Sequence, residues 1–191
     1  MKQRRVLKCF QSLACLLFAL QCCSVYGAEA QPLSAGTQLP RFTLPAPDSQ
    51  ETQRYLGLKT MEPFTLSKID TKLFLVEFLN ALCPHCHSNA PVVNRLYKVI
   101  QEDAALAKDV KVIGIAVGSN KKETDAYKKN YKVPFPVFPD QDFDIGAAVE
   151  VPETPTTVLV SNSGKVLMSR RGVIENFDGF LKELREFHKK Q

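Results

Sequence analysis

The feature that most constrains this chain is a pair of cysteines two residues apart, Cys83 and Cys86, in the run Cys-Pro-His-Cys. The pair follows an apolar run, Leu73 to Leu79, and precedes a segment with helical periodicity. A Cys-x-x-Cys pair between a strand and a helix is typical of a redox-active dithiol. With this spacing both sulfurs lie within one helical turn and can close a small, reducible ring. The sequence therefore predicts a fold that presents two thiols at the start of a helix.

The N-terminal segment has the pattern of a secretory leader. It holds the other four cysteines, Cys9, Cys15, Cys22 and Cys23. Its basic beginning has no acidic residue before Glu29, and an apolar run follows at 13–20. That run is shorter than the roughly 20 residues that a membrane-spanning helix needs. We therefore expect residues 1–28 to be a signal peptide, cleaved after Ala28 or Ala30.

Two alternatives for this leader stay open. It could remain as an uncleaved membrane anchor, because Val25 and Tyr26 extend the apolar run. It could also be lipidated at Cys22, although the preceding Gln21 is a poor residue for that modification. In each case the domain is exported to the periplasm or cell envelope, where disulfides form and persist.

Without the leader the chain has the composition of an ordinary globular domain. The four basic residues of the leader carry most of the formal charge of +5, so the remaining 163 residues carry only +1. Those residues contain no block of lysine or arginine, which argues against nucleic acid as a partner. We expect one domain, spanning residues 36–191.

Apolar periodicity predicts an α/β order of elements. Nearly continuous apolar runs at 73–79 and 110–117 predict strands covered on both faces. The other predicted elements are a strand at 41–44, a loop at 48–62, a short strand or turn at 63–69, a helix after Cys83, a charged helix at 121–131, a strand at 135–138, a short helix at 144–149, hairpin strands at 156–160 and 166–169, and a last helix over 177–187. Parallel crossovers followed by an antiparallel hairpin predict a mixed central sheet flanked by helices.

Several segments together resemble the thioredoxin superfamily, in its exported TlpA/ResA-like branch. The segments at 42–45 and 64–67 resemble that branch's N-terminal extension, and 75–86 resembles its active-site segment. The segment at 135–140 resembles its inserted strand–helix unit, and 151–157 the segment with its cis-proline. The resemblance covers about residues 36–188. It implies an α/β thioredoxin fold and the activity of a thiol–disulfide oxidoreductase, with no cofactor and no metal.

The position of the cysteines predicts their roles. Cys83 would be the N-cap of a helix with Pro84 at its first position, where proline is favoured. The free N–H groups and the positive end of the helix would then favour the Cys83 thiolate, which makes it the nucleophile. Cys86, one turn further on, would resolve the mixed disulfide, so the pair forms a redox-active Cys83–Cys86 disulfide. The alternatives are a static structural disulfide and half of a zinc site.

Two further residues are expected to tune this chemistry. A charged His85 beside Cys83 would stabilise the thiolate and make the disulfide more oxidising. Its Pro-His dipeptide is that of DsbA-type oxidants. Glu77 lies inside the apolar run, six residues before Cys83, where thioredoxin-like proteins often place an acid. A raised pKa there would let Glu77 accept the Cys86 proton. The alternatives are a solvent-facing His85 and an ion-paired Glu77, and His87 is expected to be an exposed helix residue.

The resemblance also implies a substrate-binding segment at Thr154 and Pro155. The matching family proline is cis, and the residue before it presents backbone groups to an extended substrate. The family's tryptophan before the first cysteine is replaced by Leu82.

Three functions follow from these residues. The first is a reductant of exported protein disulfides, re-reduced by a membrane electron donor. The second is a DsbA-like oxidant that passes electrons from exported protein thiols to a membrane acceptor. The third belongs to another class, a copper chaperone that uses the same cysteines, since thiolates suit Cu(I). A peroxiredoxin-type peroxidase is disfavoured because its Pro-x-x-x-Thr-x-x-Cys signature is absent before Cys83.

Overall fold

A five-stranded mixed sheet forms the centre of the protein. The computed structural model describes residues 33–191, so the predicted leader at 1–28 lies outside the described residues. The strands are β1 (Leu73–Leu79), β2 (Val110–Val117), β3 (Val137–Asp140), β4 (Thr156–Ser161) and β5 (Val166–Arg171), in the spatial order β3-β2-β1-β4-β5. Strands β1, β2 and β3 are parallel, whereas β4 runs antiparallel to β1 and β5 antiparallel to β4. The predicted mixed sheet is therefore confirmed.

Helices cover both faces of this sheet. In the described part of the chain they are α1 (Gln50–Leu56), α2 (Pro84–Glu102), α3 (Ala104–Asp109), α4 (Lys121–Asn130), α5 (Asp144–Ala148) and α6 (Phe177–His188), with a 3₁₀ turn at Leu66–Lys68. No helix within residues 33–191 is both long enough and apolar enough to cross a bilayer.

The side chains of β1 alternate between two hydrophobic layers, because successive strand residues point to opposite faces. Leu75 and Leu79 contribute to a layer that also holds the buried side chains of α2, α4 and α6. Val76 and Phe78 contribute to the other layer, with α1 and the N-terminal segment. All seven residues of β1 are buried. Glu77 therefore lies on the same face of the sheet as α2.

The N-terminal segment differs from the prediction. The expected strand at 41–44 is wrong, because only Leu44 pairs, in a single bridge with Phe64. Leu44 and Phe64 exchange both of their backbone hydrogen bonds, and the next residue that could pair, Leu66, already begins the 3₁₀ turn. The expected loop at 48–62 is also wrong, since it contains α1. Only Thr52 and Leu56 of this helix are buried, which leaves too short an apolar pattern to detect.

Element boundaries elsewhere follow the prediction closely. Strands β1 and β2 begin and end at the predicted residues. Strand β3 begins at Val137, two residues later than predicted, since its parallel register with β2 starts at Gly114. Helix α3 was not predicted. Its N-cap is Asp103, whose carboxylate accepts hydrogen bonds from the backbone N–H groups of Ala105 and Leu106.

Candidate redox-active site

The two cysteines lie where β1 passes into α2, as the sequence predicts. Cys83 is the N-cap residue of α2 with extended backbone angles, and Pro84 occupies the first helical position. The connecting turn is held by Asn80, which the sequence analysis did not identify. Its side-chain oxygen accepts from the Leu82 N–H at 2.9 Å, and its amide group donates to the Val117 carbonyl at 2.9 Å. Asn80 thus ties the cysteine turn to the end of β2.

Cys83 is the more exposed of the two thiols and the more acidic. Partial burial acts to raise its pKa, but nearby hydrogen-bond donors outweigh this effect and lower the pKa. The main donors are the backbone N–H and thiol of Cys86, and the N–H of His85 adds to them. The Cys83 sulfur does not form a capping hydrogen bond with the helix. It lies near the free N–H groups at the positive end of α2, which favour its negative charge. A thiolate is the nucleophilic form of cysteine.

Cys86 lies in the opposite environment. Its side chain is completely buried in the layer beneath α2. Burial raises the pKa of this thiol to about 12, against the smaller effect of the Asn80 N–H, which donates to its sulfur at 3.4 Å. The structure contains both cysteines as free thiols. The Cys83–Cys86 disulfide therefore stays a prediction.

The Thr154–Pro155 segment lies beside Cys83. The peptide bond between these residues is cis, as the family resemblance implies. The Cys83 thiol donates to the Thr154 carbonyl at 3.4 Å, across 71 positions of sequence. The Pro155 carbonyl accepts from the N–H of Gly172 at 2.8 Å, which fixes the segment to the end of β5. The structure thus brings the predicted substrate-binding residues to the predicted nucleophile.

Glu77 lies in the interior of the protein. Glu77 is only 1% exposed, and burial raises the pKa of its carboxyl from the ordinary 4.5 to about 7. The opposing effect is a hydrogen bond of 2.8 Å from the Asn89 amide to Oε1. The second oxygen, Oε2, has no hydrogen-bond partner among the described residues. The ion-paired alternative for Glu77 is wrong, because no cation contacts it in this part of the chain.

Two buried residues near Glu77 were missed by the sequence analysis. Asn89 is completely buried on α2, on the same stripe as Val93 and Leu96. A polar residue on an apolar helix stripe was the available signal. Thr157 on β4 lies directly opposite Glu77 in the antiparallel register, and its hydroxyl likewise has no partner. No signal in the sequence reveals that cross-strand pairing.

The two histidines of this region differ. His85 is exposed on the first turn of α2, so its tuning role stays a prediction. The expectation of an exposed His87 is wrong. Its ring stacks on Tyr131 at 4.7 Å between centroids, and its Nε2 lies 2.8 Å from the Ala81 carbonyl. Leu82, next to Cys83, is 70% exposed.

Metal binding would need further ligands beside the two cysteines. Among residues 33–191, no group of three or more histidine, cysteine, aspartate or glutamate side chains is arranged to hold a metal ion.

Comparison with known proteins agrees with this geometry. The chain is 26% identical over 140 residues to the thiol–disulfide oxidoreductase ResA of Bacillus subtilis, covering 73% of this chain and 69% of that protein. It is 24% identical over 168 residues to the ResA of Geobacillus thermodenitrificans, covering 86% of each. Its fold superposes on the thioredoxin domain of a thiol–disulfide oxidoreductase from Bacteroides vulgatus with a TM-score of 0.60 and 16% identity, covering 81% of this chain and 97% of that domain.

These results establish the class of the protein. The sheet and its helices form a thioredoxin fold. The chain is a thiol–disulfide oxidoreductase similar to the TlpA/ResA-like proteins. The AhpC/TSA family matches residues 35–169, well over half of the sequence. The chain therefore belongs to the AhpC/TSA family.

Proposed function

We propose that this oxidoreductase exchanges disulfides with exported proteins in the cell envelope and acts on them as a reductant. The observation that carries the proposal is the difference between its two thiols. Cys83 is partly exposed and has a lowered pKa, whereas Cys86 is buried and has a raised pKa. One thiol is thereby suited to attack a partner, and the other is kept protonated until it is needed.

The proposed reaction has two steps. The Cys83 thiolate attacks one sulfur of a substrate disulfide, which breaks that bond, releases one substrate thiolate and forms a mixed disulfide. Cys86 then loses its proton and attacks the Cys83 sulfur. The mixed disulfide breaks, the second substrate thiolate leaves, and a Cys83–Cys86 disulfide forms. Two electrons pass to the substrate, so the enzyme must be reduced again by a donor, which we propose to be a membrane protein.

Glu77 is the proposed acceptor of the Cys86 proton. Its buried side chain lies on the face of the sheet that α2 covers, and its amide partner Asn89 is three residues after Cys86 on α2. A carboxyl with a pKa of about 7 takes up and releases protons near neutral pH, as an acid–base group must.

Thr154 and Pro155 are the proposed binding site for the substrate chain. The Thr154 carbonyl lies beside the Cys83 sulfur, so an extended polypeptide could pair with the Thr154 backbone while its disulfide meets the thiolate. The exposed Leu82, which precedes Cys83 in the chain, adds an apolar side chain next to the nucleophile.

The reductant direction rests on two observations. The relatives compared above are ResA proteins, and the 69 positions from Cys86 to Pro155 hold one added strand–helix unit, β3 and α5, rather than a helical domain. His85 favours the second candidate, a DsbA-like oxidant, because a charged imidazole beside Cys83 would make the disulfide more oxidising.

The cysteine roles are tested by trapping the intermediate. In Cys86→Ser, reaction with a protein disulfide should stop at a stable mixed disulfide on Cys83. The matched control, Cys83→Ser, should accumulate none, because the remaining thiol is buried and protonated. Preferential alkylation of Cys86 in the reduced wild-type protein near pH 6 would contradict the assignment.

The direction is tested by the reduction potential of the purified domain and by trapping its redox state in cells with acid and alkylation. A reductant should have a potential below about −200 mV and a mainly reduced pair, whereas an oxidant resembles DsbA at about −120 mV. A mainly oxidised pair that becomes reduced on meeting newly exported thiols would show that the oxidant reading is correct.

A further inference from the structure

Asn89 connects the buried Glu77 carboxyl to the segment between β5 and α6. Its side chain is completely buried on α2. The amide nitrogen Nδ2 donates to Glu77 Oε1 at 2.8 Å, and the amide oxygen Oδ1 accepts from the backbone N–H of Ile174 at 3.0 Å. Ile174 lies in the segment between β5 and α6. Both polar atoms of the amide are thus hydrogen-bonded, to two segments that are far apart in sequence.

This arrangement fixes the direction of the Asn89 amide. A backbone N–H can only donate, so the oxygen of Asn89 must face Ile174. The NH₂ group must then face Glu77, and the amide cannot flip without leaving two donors opposed. A donor directed at a carboxylate favours its charged form. Asn89 therefore favours the charged form of the Glu77 carboxyl.

No other described side chain offers Glu77 a comparable contact. Its register partners are Gly114 on β2, which has no side chain, and Thr157 on β4, whose hydroxyl makes no hydrogen bond. The buried side chains of helix α6, which pack in the same layer as Leu75 and Leu79, are all apolar. Burial opposes the charged carboxylate, and the Asn89 amide is the one direct contact that supports it.

The titratable groups of this site do not supply a second donor to Glu77. Burial and, after it, the Glu77 charge raise the pKa of Tyr127 on α4, and the Tyr127 hydroxyl donates to the Cys86 carbonyl rather than to Glu77. Among the described residues, neither cysteine thiol forms a hydrogen bond with the Glu77 carboxyl.

We propose that Asn89 is a positioning residue that holds the Glu77 carboxylate and sets the pH range over which this group exchanges a proton with Cys86. The inference rests on the proposed function of Glu77. It assigns the pH response of the site to an uncharged amide and to the backbone N–H of Ile174, which orients this amide.

The discriminating variant is Asn89→Asp. An aspartate keeps an oxygen for the Ile174 N–H but replaces the donor that faces Glu77 with a second acidic group. The matched control is Asn94→Asp on the same helix, where the Asn94 amide donates to the Tyr131 carbonyl at 2.9 Å, away from Glu77. The measurement is the titration of the Glu77 side-chain carboxyl by ¹³C NMR in the reduced, full-length protein.

We expect the Glu77 midpoint to rise by at least about one pH unit in Asn89→Asp, because two neighbouring carboxyls raise each other's proton affinity. The pH profile of mixed-disulfide resolution should rise with it, and the control should match the wild type. An unchanged Glu77 midpoint in a folded Asn89→Asp variant would overturn the inference.

A second measurement needs no substitution at Asn89. In the wild-type protein, the ¹⁵N and ¹H shifts of the Asn89 NH₂ group should titrate with the Glu77 midpoint, and Glu77→Gln should abolish this change. An Asn89 amide that does not respond to Glu77 would also refute the inference. Neither titration requires turnover, so a failure of disulfide exchange would count against the proposed function alone.

Discussion

At the scale of single residues, the buried Glu77 carboxyl makes stability depend on pH. Its pKa is raised from 4.5 to about 7, so the folded protein binds its proton more tightly than the unfolded chain does. The resulting stabilisation is complete below about pH 4.5 and is lost as the pH rises through about 7. A shift of this size corresponds to a loss of about 3 kcal/mol. The site thus retains an acid–base group at the expense of stability.

Glu77→Gln should remove this pH dependence. The free energy of unfolding should vary less between pH 4.5 and 7 than in the wild type, because no proton is taken up or released there. At pH 8 the variant should be more stable, by up to about 3 kcal/mol, while disulfide exchange slows. Urea unfolding at a series of pH values measures this. Glu186→Gln, an exposed site on α6, is the control, and parallel curves for Glu77→Gln and the wild type would contradict the prediction.

Thr157→Val should not destabilise the protein. The buried Thr157 hydroxyl has no hydrogen-bond partner within residues 33–191, and valine has nearly the same shape, so the variant should gain up to about 1 kcal/mol in unfolding free energy. Thr156 is the matched contrast. It is equally buried, but its hydroxyl donates to the Glu153 carbonyl at 2.7 Å. Thr156→Val should therefore lose about 1 kcal/mol. Equal losses in chemical unfolding would show that Thr157 has a hydrogen bond after all.

At the scale of elements, helix α4 supports the cysteine turn from the side. The Tyr127 hydroxyl donates to the Cys86 carbonyl at 3.3 Å, and Tyr131 stacks on His87. The helix begins with a capping box, in which Asn120 accepts from the Glu123 N–H and the Glu123 side chain accepts from the Asn120 N–H. The position of two aromatic residues at the site therefore depends on how this helix begins.

Asn120→Ala should cost about 1 kcal/mol in unfolding free energy, because one N–H group at the helix start loses its acceptor. Lys122→Ala, at an exposed position in the first turn, is the control and should change stability by less than about 0.5 kcal/mol. Thermal and urea unfolding of both variants measure the difference. Equal effects of the two substitutions would show that the capping box contributes nothing.

At the scale of the whole molecule, stability is concentrated in the middle of the sheet. Strand β1 is fully buried and pairs along its length with β2 and β4. By contrast, α1 has two buried residues in a surface segment. We expect β1 amides to exchange hydrogen through global unfolding, and α1 amides to exchange at least about tenfold faster through local opening. Hydrogen exchange followed by NMR measures both, and equal protection of α1 and β1 would contradict this prediction.

Local patterns in the sequence determined the parts of the protein that depend on one segment at a time. Strands β1 and β2 could be predicted to the residue, because continuous apolar runs describe strands covered on both faces. The start of α2 at Pro84 was predictable as well, since proline favours the first helical position. That start places Cys83 at the N-cap and Cys86 in the first turn of the helix.

Only the tertiary structure decided the contacts between segments. The Asn89 amide meets Ile174 across 85 positions, and Cys83 meets Thr154 across 71. Glu77 faces Thr157 because β4 lies antiparallel to β1 in one particular register. Helical and strand periodicities report which face of a segment is buried, but they carry no information on which other segment covers that face. The paired cysteines were therefore visible in the sequence, whereas the position of Asn89 and Thr157 beside Glu77 was not.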